Sequence, residues 1–176
     1  MNIIPIKFVL DFRSDNELVL RLGHGFRFFF VALCLFLLYF ILIDGDSTSL
    51  KISNIGPYLI VIFSFVLSLY YEAWFFDKRS GKVVHRHGLI IAYKQTEILL
   101  NDIETFKITR FKTGDVDTGK REKGYLVSRY IKFSLIPKTS KAHVIEVIKK
   151  SGLSDLETKA EHVARFCKRP LEVEDL

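Results

Sequence analysis

Two long apolar runs near the start of the chain constrain its fold more than any other feature. Residues 28–43 read FFFVALCLFLLYFILI and residues 59–76 read LIVIFSFVLSLYYEAWFF, with a short polar segment between them. A helix needs roughly 20 mostly apolar residues to cross a hydrocarbon core of about 30 Å. Residues 25–27 and 55–58 extend the two runs to this length. Because a helix that is apolar on every side has no place in a small soluble domain, the runs predict a transmembrane hairpin.

Basic residues predict the orientation of this hairpin. The segment between the runs carries Asp44, Asp46 and Lys51. Most nearby basic residues instead flank the outer ends of the hairpin: Lys7, Arg13, Arg21, Arg27, Lys78, Arg79, Lys82 and Arg86. Positive residues favour the cytoplasmic side of a membrane. We therefore expect an integral, multi-pass protein of a bacterial inner membrane with both termini in the cytoplasm.

The two runs divide the chain into five segments. They are a cytoplasmic segment at 1–25, a first span at 26–43, an external loop at 44–56, a second span at 57–76 and a cytoplasmic domain at 77–176. About 100 residues beyond the second span suffice for one compact domain. The net charge of +6 arises beyond Asp77, which favours a domain that faces anionic lipid over one that binds nucleic acid. Cys34 and Cys167 lie in different segments, so we expect no disulfide.

The cytoplasmic half is typical of an antiparallel sheet that is followed by one helix. Residues 78–81 predict a hairpin turn, residues 113–124 form a polar, glycine-rich loop, and the segments between turns alternate apolar and polar side chains. Residues 142–150 fit either a strand or a short helix, and their β-branched content favours a strand. Residues 2–12 and 17–22 fit either short strands or an interfacial stretch. Leu18, Leu20 and Leu22 would share one face of a strand.

The last helix has the clearest pattern. Ser154 and Glu157 have the spacing of a capping box, and Pro170 ends the helix. One apolar stripe contains Leu156, Ala160, Val163, Ala164 and Cys167. We expect an α+β membrane protein in which the hairpin carries an antiparallel sheet or small barrel closed by this helix.

This order of parts resembles bacterial two-span membrane proteins whose cytoplasmic domain is pleckstrin-homology-like. Residues 76–83 (FDKRSGKV) are similar to the Phe-Asp-Lys-x-Thr-Gly-x-Val segment of the photosystem I assembly factor family of plastids and cyanobacteria. Residues 153–158 (LSDLET), 164–166 (ARF), 170–172 (PLE) and the Asp-Ile pair at 102–103 also resemble that family. The family's Gly-x-x-Gly-x-x-Arg-Arg run has no counterpart, since apolar residues 89–93 follow Gly88. The resemblance implies a pleckstrin-homology-like fold and, in a photosynthetic source, photosystem I assembly at the thylakoid.

Few residues indicate site chemistry. His85 and His87 lie two apart on a predicted strand, as a metal pair requires, but solvent-facing histidines near headgroups are the favoured interpretation. Glu72 fits an interfacial position within reach of Lys78 or Arg79. No nucleotide, metalloprotease, hydrolase or paired-cysteine motif occurs in the sequence. We therefore expect a non-enzymatic protein with no cofactor, catalytic residue or metal ligand.

The remaining candidates for function are two basic clusters. They are the candidate contacts for lipid or for a partner protein: Lys78, Arg79, Lys82, Lys120, Arg121 and Lys123. The favoured hypothesis is a membrane-anchored scaffold or assembly factor that docks membrane-protein partners through a sheet edge and the loop at 113–124. The alternatives are a photosystem I assembly factor and a protein that binds anionic lipid headgroups. The sequence predicts neither the identity of the partner nor the oligomeric state.

Overall fold

The computed structural model describes residues 7–43, 55–113 and 128–174. Three helices are present in this part of the chain: α1 (His24–Ile43), α2 (Ile55–Ser68) and α3 (Leu153–Cys167). Nine strands accompany them: β1 (Phe8–Ser14), β2 (Glu17–Leu22), β3 (Tyr70–Asp77), β4 (Lys82–Leu89), β5 (Ala92–Leu99), β6 (Ile103–Thr113), β7 (Ser128–Pro137), β8 (His143–Lys149) and β9 (Leu171–Glu174). The protein is thus α+β, with antiparallel sheets and a C-terminal helix, as the sequence predicts. Strand β9 is an exception, because it pairs with β6 in parallel.

The strands form two sheets. One has five strands in the order β1-β2-β3-β4-β5, and the other has four in the order β8-β7-β6-β9. The chain divides into two compact units, one of residues 1–9, 21–73 and 85–96 and the other of residues 10–20, 74–84 and 97–176. The first unit contains α1 and α2, and the second contains the four-stranded sheet and α3.

The core of the second unit lies between α3 and the four-stranded sheet. Antiparallel pairing sets Phe106 opposite Leu135 and Ile108 opposite Phe133, and all four side chains are fully buried. The rings of Phe106 and Phe133 lie 5.9 Å apart. Apolar side chains on alternate positions of β6 and β7 therefore face one side of the sheet, which α3 covers.

Helix α3 buries the predicted stripe except Cys167, which is half-buried, and it does not begin as predicted. Its cap is Gly152, and no side-chain capping bond forms there, so the capping box at Ser154 and Glu157 is wrong. The backbone carbonyl of Ser154 instead accepts the hydroxyl of Thr158, and Glu157 pairs with Arg110 at 3.7 Å. The start shifts because Leu153 already takes helical angles and places Ser154 inside the first turn. At the other end Lys168 adopts a left-handed conformation, two residues before Pro170.

The second apolar run contains two elements rather than one helix. The expected span at 57–76 ends as a helix at Ser68, and Tyr70 opens strand β3. Aromatic residues fit a pleated strand better than a helix, and β3 gains hydrogen-bonded neighbours on both sides, β2 and β4. Backbone pairing with these two strands therefore outweighs continuation of the helix.

The segment expected to be a separate N-terminal stretch at 1–25 joins the sheet. Residues 8–14 and 17–22 form β1 and β2, so the strand interpretation is confirmed over these residues. Leu18, Leu20 and Leu22 are buried, as their spacing predicts. The ambiguous segment at 142–150 is strand β8 over most of its length, as its β-branched content favoured.

Single residues join the helices to their strands. Gly23 alone separates β2 from α1, and Leu69 alone separates α2 from β3. Both junctions are fixed by backbone hydrogen bonds, from the amide of Gly23 to the carbonyl of Lys7 and from the amide of Leu69 to the carbonyl of Val66. The predicted external loop lies mostly at 44–54, outside the described residues.

Candidate functional site

Helices α1 and α2 pack against each other, and their distribution of polarity is the inverse of that in a water-soluble helix pair. The side chains that they bury are small: Cys34, Ser64 and Ser68. The large apolar side chains point outward instead. Phe28, Leu35 and Leu42 are spaced seven residues apart on one face of α1 and are 71%, 62% and 79% exposed. Small residues between helices and large apolar ones outside are typical of helices packed in lipid, whereas a water-soluble hairpin has the reverse order.

The two helices run in opposite directions. Near the middle of the pair, Sγ of Cys34 lies 4.0 Å from the carbonyl oxygen of Val61. Near the start of α1, Nε of Arg27 donates to the carbonyl oxygen of Tyr70, just beyond the end of α2, at 3.2 Å. The guanidinium of Arg27 also lies 5.4 Å from the ring centroid of Tyr71. One end of the hairpin thus carries a basic and aromatic collar, as membrane interfaces do.

Length distinguishes the two helices. Helix α1 has 20 residues and is long and apolar enough to cross a membrane. Helix α2 has 14 described helical residues and rises about 21 Å. By length and composition, α1 is the candidate membrane span within the described part of the chain.

Four polar side chains meet beside this collar, on the first residues of β3 and the last of β4. The hydroxyl of Tyr70 donates to Oε2 of Glu72 at 2.9 Å, and Nε2 of His85 lies 3.2 Å from Oε1. The rings of His85 and His87 stack with centroids 4.8 Å apart. The hairpin turn at 78–81, with Gly81 at φ 66°, brings the two strands together.

The environment of Glu72 favours its charged form. Burial acts to raise the pKa of Glu72, but hydrogen bonds from His85 and Tyr70 and the charges of His85 and His87 outweigh it and lower the pKa. Burial, together with the charge of Glu72 and the hydrogen bond to it, raises the pKa of Tyr70 to about 12. Tyr70 therefore stays protonated at neutral pH and donates to an ionised carboxylate.

This cluster changes the interpretation of three residues. Glu72 contacts Tyr70 and His85, not Lys78 or Arg79 as the sequence suggested. The side chain of His85 is 16% exposed, so it does not face solvent as expected. Nδ1 of His87 is buried and has no hydrogen-bonding partner among the described residues. The hairpin signal at 78–81, extended along both strands, would have brought Glu72 opposite the two histidines.

The hydrogen bonds of Glu72 define the chemistry of the cluster. No group of three or more histidine, cysteine, aspartate or glutamate side chains in the described residues is arranged to hold a metal ion. Two donors, Tyr70 and His85, already engage both carboxylate oxygens of Glu72. Glu72 is therefore the centre of a hydrogen-bonded network that joins the start of β3 to the end of β4.

The predicted basic contacts lie in the other unit, and the protein itself engages two of them. Nζ of Lys78 lies 3.8 Å from the ring centroid of Phe166 and donates to the carbonyl oxygen of Asp15 at 3.3 Å. Lys82 pairs with Glu97 at 2.8 Å, and this hydrogen bond, with the charge of Glu97, raises the pKa of Lys82.

The third residue of this cluster, Arg79, lies on the exposed turn, where its backbone amide donates to Asp77. The other predicted contacts, Lys120, Arg121 and Lys123, lie outside the described residues, as does the loop at 114–124. The structure thus shows internal partners for Lys78 and Lys82, and both Lys78 and Arg79 are exposed to solvent.

No protein family matches the chain, and no curated protein matches it either. The resemblance to photosystem I assembly factors and to pleckstrin-homology-like membrane proteins stays a prediction.

Proposed function

We propose that this protein is anchored in a membrane by α1 and α2 and presents its sheets and α3 in the cytoplasm as a docking scaffold. The observation that carries the proposal is the inverted polarity of the helix pair, which buries Ser64 and exposes the stripe of Phe28, Leu35 and Leu42. That stripe would cost free energy in water and none in hydrocarbon. Both termini in the cytoplasm, a multi-pass topology and a pleckstrin-homology-like domain belong to the same proposal.

The short second helix is compatible with this anchor. A hydrophobic helix shorter than the hydrocarbon core is accommodated by local thinning of the bilayer and by aromatic and basic residues at its ends. Tyr70, Tyr71 and Arg27 supply such residues where α2 ends.

A matched pair of variants tests the anchor. Leu35→Asp places a charge on the exposed face of α1, and Val147→Asp places one on an apolar exposed position of β8. We expect the native chain and Val147→Asp to stay in the membrane pellet after alkaline carbonate washing. Leu35→Asp should be depleted from that pellet. Recovery of the native chain in the supernatant without detergent contradicts the proposal.

The docking surface that we propose is the open edge of the four-stranded sheet. In the described part of the chain, β8 has one hydrogen-bonded neighbour, β7, so its other edge can pair with an extended segment of a partner. Val144 and Val147 are exposed on β8 and supply apolar contacts. Anchorage raises the effective concentration of this edge for partners in the same membrane. Assembly of a membrane complex is therefore the process that we propose.

Site-specific crosslinking tests the docking surface. A photo-activatable phenylalanine analogue at Val147 should capture a membrane protein in cells, whereas the same group at exposed Glu161 on α3 should capture much less. Mass spectrometry of the adduct identifies the partner. Equal, unselective capture at both positions contradicts docking at β8.

A further inference from the structure

Among the described residues outside the helices, the turn between β4 and β5 is the most exposed apolar feature. This two-residue turn consists of Ile90 and Ile91, which are 50% and 84% exposed, and Tyr93 beside it is 49% exposed. Adjacent exposed isoleucines at a turn run against the usual polar composition of β-turns. We call this feature, residues 90–93, the isoleucine tip.

A backbone hydrogen bond ties the isoleucine tip to the helix pair. The amide of Ile90 donates to the carbonyl oxygen of Leu69 at 2.9 Å, and Leu69 directly follows the last residue of α2. Arg27, from the start of α1, donates to the next carbonyl along, that of Tyr70. The tip therefore lies at the same end of the helix pair as the basic and aromatic collar, within the same unit.

Gly88 holds the tip in place. It has φ of 139°, a conformation that L side chains rarely adopt, and a Cβ there would lie 2.7 Å from the carbonyl oxygen of Ala92. The hairpin thus folds back closely on itself just before the turn. This close approach gives Ile90 and Ile91 a defined position and distinguishes the tip from a loose loop.

Basic and aromatic groups border the tip. The guanidinium of Arg86 lies 5.6 Å from the ring centroid of Tyr93 and donates from Nε to Gln95 at 3.1 Å. Lys94 is exposed on the same strand. Isoleucine side chains beside tyrosine, arginine and lysine match the composition of segments that lie in the interfacial region of a bilayer.

We propose that the isoleucine tip inserts into the interfacial region of the same membrane that holds α1 and α2, next to the end of α2. The inference rests on the proposed membrane anchor. The occupant that we assign to the tip is lipid, because the exposed tip is hydrogen-bonded to the end of the apolar helix α2 and is bordered by cationic side chains suited to anionic headgroups. Ile90 and Ile91 would lie about 5–10 Å below the headgroups, as the apolar face of an interfacial segment does.

Fluorescence quenching by lipid tests this depth directly. The full chain, with Cys34 and Cys167 replaced by alanine, receives a single cysteine at one of three exposed apolar positions: Ile91→Cys, Phe63→Cys on α2, or Val147→Cys on β8. Each cysteine carries a polarity-sensitive fluorophore, and the protein is reconstituted into vesicles of phosphatidylcholine and phosphatidylglycerol. Spin-labelled lipids then quench either near the headgroup or near the end of the acyl chain.

The three positions separate the possible outcomes. We expect the label at 91 to show blue-shifted emission and to be quenched more by the shallow spin label than by the deep one. The label at 63 should show the opposite preference, and the label at 147 should show solvent-like emission without lipid quenching. This pattern supports both the tip and the anchor.

Three other results overturn the inference in distinguishable ways. If the label at 63 is quenched by the deep lipid and the label at 91 behaves like that at 147, the anchor stands and the tip inference is wrong. If the label at 91 is shielded from aqueous iodide but not quenched by any lipid, a protein surface covers the tip. If the label at 63 is not quenched, the anchor itself is wrong. Native Trp74 emission in each labelled protein confirms that the chain is folded.

Discussion

Replacing Glu72 with glutamine removes one charge from the polar cluster at the start of β3 and keeps the shape of the side chain. The carboxylate accepts two hydrogen bonds, from the hydroxyl of Tyr70 and from Nε2 of His85. The amide of Glu72→Gln keeps an oxygen for one donor and turns an NH₂ group toward the other. His85 can then accept in its other tautomer, so both contacts persist as neutral hydrogen bonds.

The free-energy cost of Glu72→Gln depends on the number and kind of hydrogen bonds that change. A hydrogen bond to a charged group contributes about 1.5–3 kcal/mol, and a neutral one contributes about 0.5–1.5 kcal/mol. Replacing two charged hydrogen bonds by neutral ones loses about 2 kcal/mol. Part of this loss is offset because glutamine, unlike glutamate, does not bury a charge. We therefore expect Glu72→Gln to lower the free energy of unfolding by about 1–2 kcal/mol at neutral pH. For the control Glu97→Gln we expect a smaller loss, because the pair of Lys82 and Glu97 is exposed and solvent screens it.

The pH dependence has a defined sign. The folded state lowers the pKa of Glu72, so the unfolded chain binds its proton more readily. The charge of Glu72 thus contributes stability at pH values above the unfolded pKa, and this contribution is lost as the pH falls through the lower, folded pKa. Since protonated glutamate resembles glutamine, the difference between the native chain and Glu72→Gln should shrink in acid, below the ordinary glutamate range.

Equilibrium unfolding of the full chain in detergent measures this difference. Trp74 is the only tryptophan of the sequence and is fully buried two residues along β3 from Glu72, so its emission reports on this strand. Urea titrations at neutral and acidic pH give the free energies for the native chain, Glu72→Gln and Glu97→Gln. A loss that is equal for both variants, or one that stays constant into acid, refutes the charge-assisted network.

Three further outcomes are expected. Gly88→Ala should destabilise the β4–β5 hairpin by about 1–3 kcal/mol in the same urea titration, because alanine is strained at this φ. The control Gly25→Ala should not destabilise the protein, because there is open space around Gly25 in α1. Equal effects of the two variants would contradict the close approach at Gly88. Ser64→Leu should overpack the helix pair and destabilise it by about 1–3 kcal/mol, whereas Phe63→Leu, at an exposed position, should be tolerated. In detergent, Ser64→Leu should therefore aggregate at a lower temperature than Phe63→Leu. The reverse order would contradict the inverted polarity of the helix pair. Burial raises the pKa of Cys167 to about 12, so its alkylation near neutral pH should be slow until denaturant is added, and rapid labelling of the native chain would contradict this burial.

The parts of the fold that the sequence predicts well are those with a clear period. Alternating apolar and polar side chains predicted strands with one inward face, and Phe133 and Leu135 of β7 are buried on that face. The helical stripe predicted the burial of Leu156 and Val163. The hairpin turn at 78–81 was predictable from the freedom of glycine at position 81. In each case a local pattern agrees with the burial that the tertiary structure imposes.

The errors arose where local pattern and long-range pairing differ. The run from Leu59 to Phe76 is mostly apolar and has no period that separates helix from strand, so the change at Leu69 was not visible. That change depends on pairing of β3 with β2, which comes from a distant part of the sequence. The capping box failed because a residue one position earlier had already entered the helix.

The candidate site was only partly predictable for the same reason. His85 and His87 were recognised as a pair on one strand face, but their contact with Glu72 depends on the register of the hairpin. The isoleucine tip was visible in the sequence as an apolar stretch after Gly88, and its position beside Leu69 was not. The sequence thus indicated which residues are candidates for function, and the fold determined which of these residues are in contact.

The one-residue junctions at Gly23 and Leu69 couple the helices rigidly to the strand residues of the same unit. A flexible linker would let a hairpin lean in a thinner or thicker bilayer without disturbing the adjoining strands. Here a change in the tilt of α1 and α2 must also rotate the last residues of β2 and the first residues of β3. In the proposed membrane anchor, bilayer thickness would thereby influence the orientation of these strand residues.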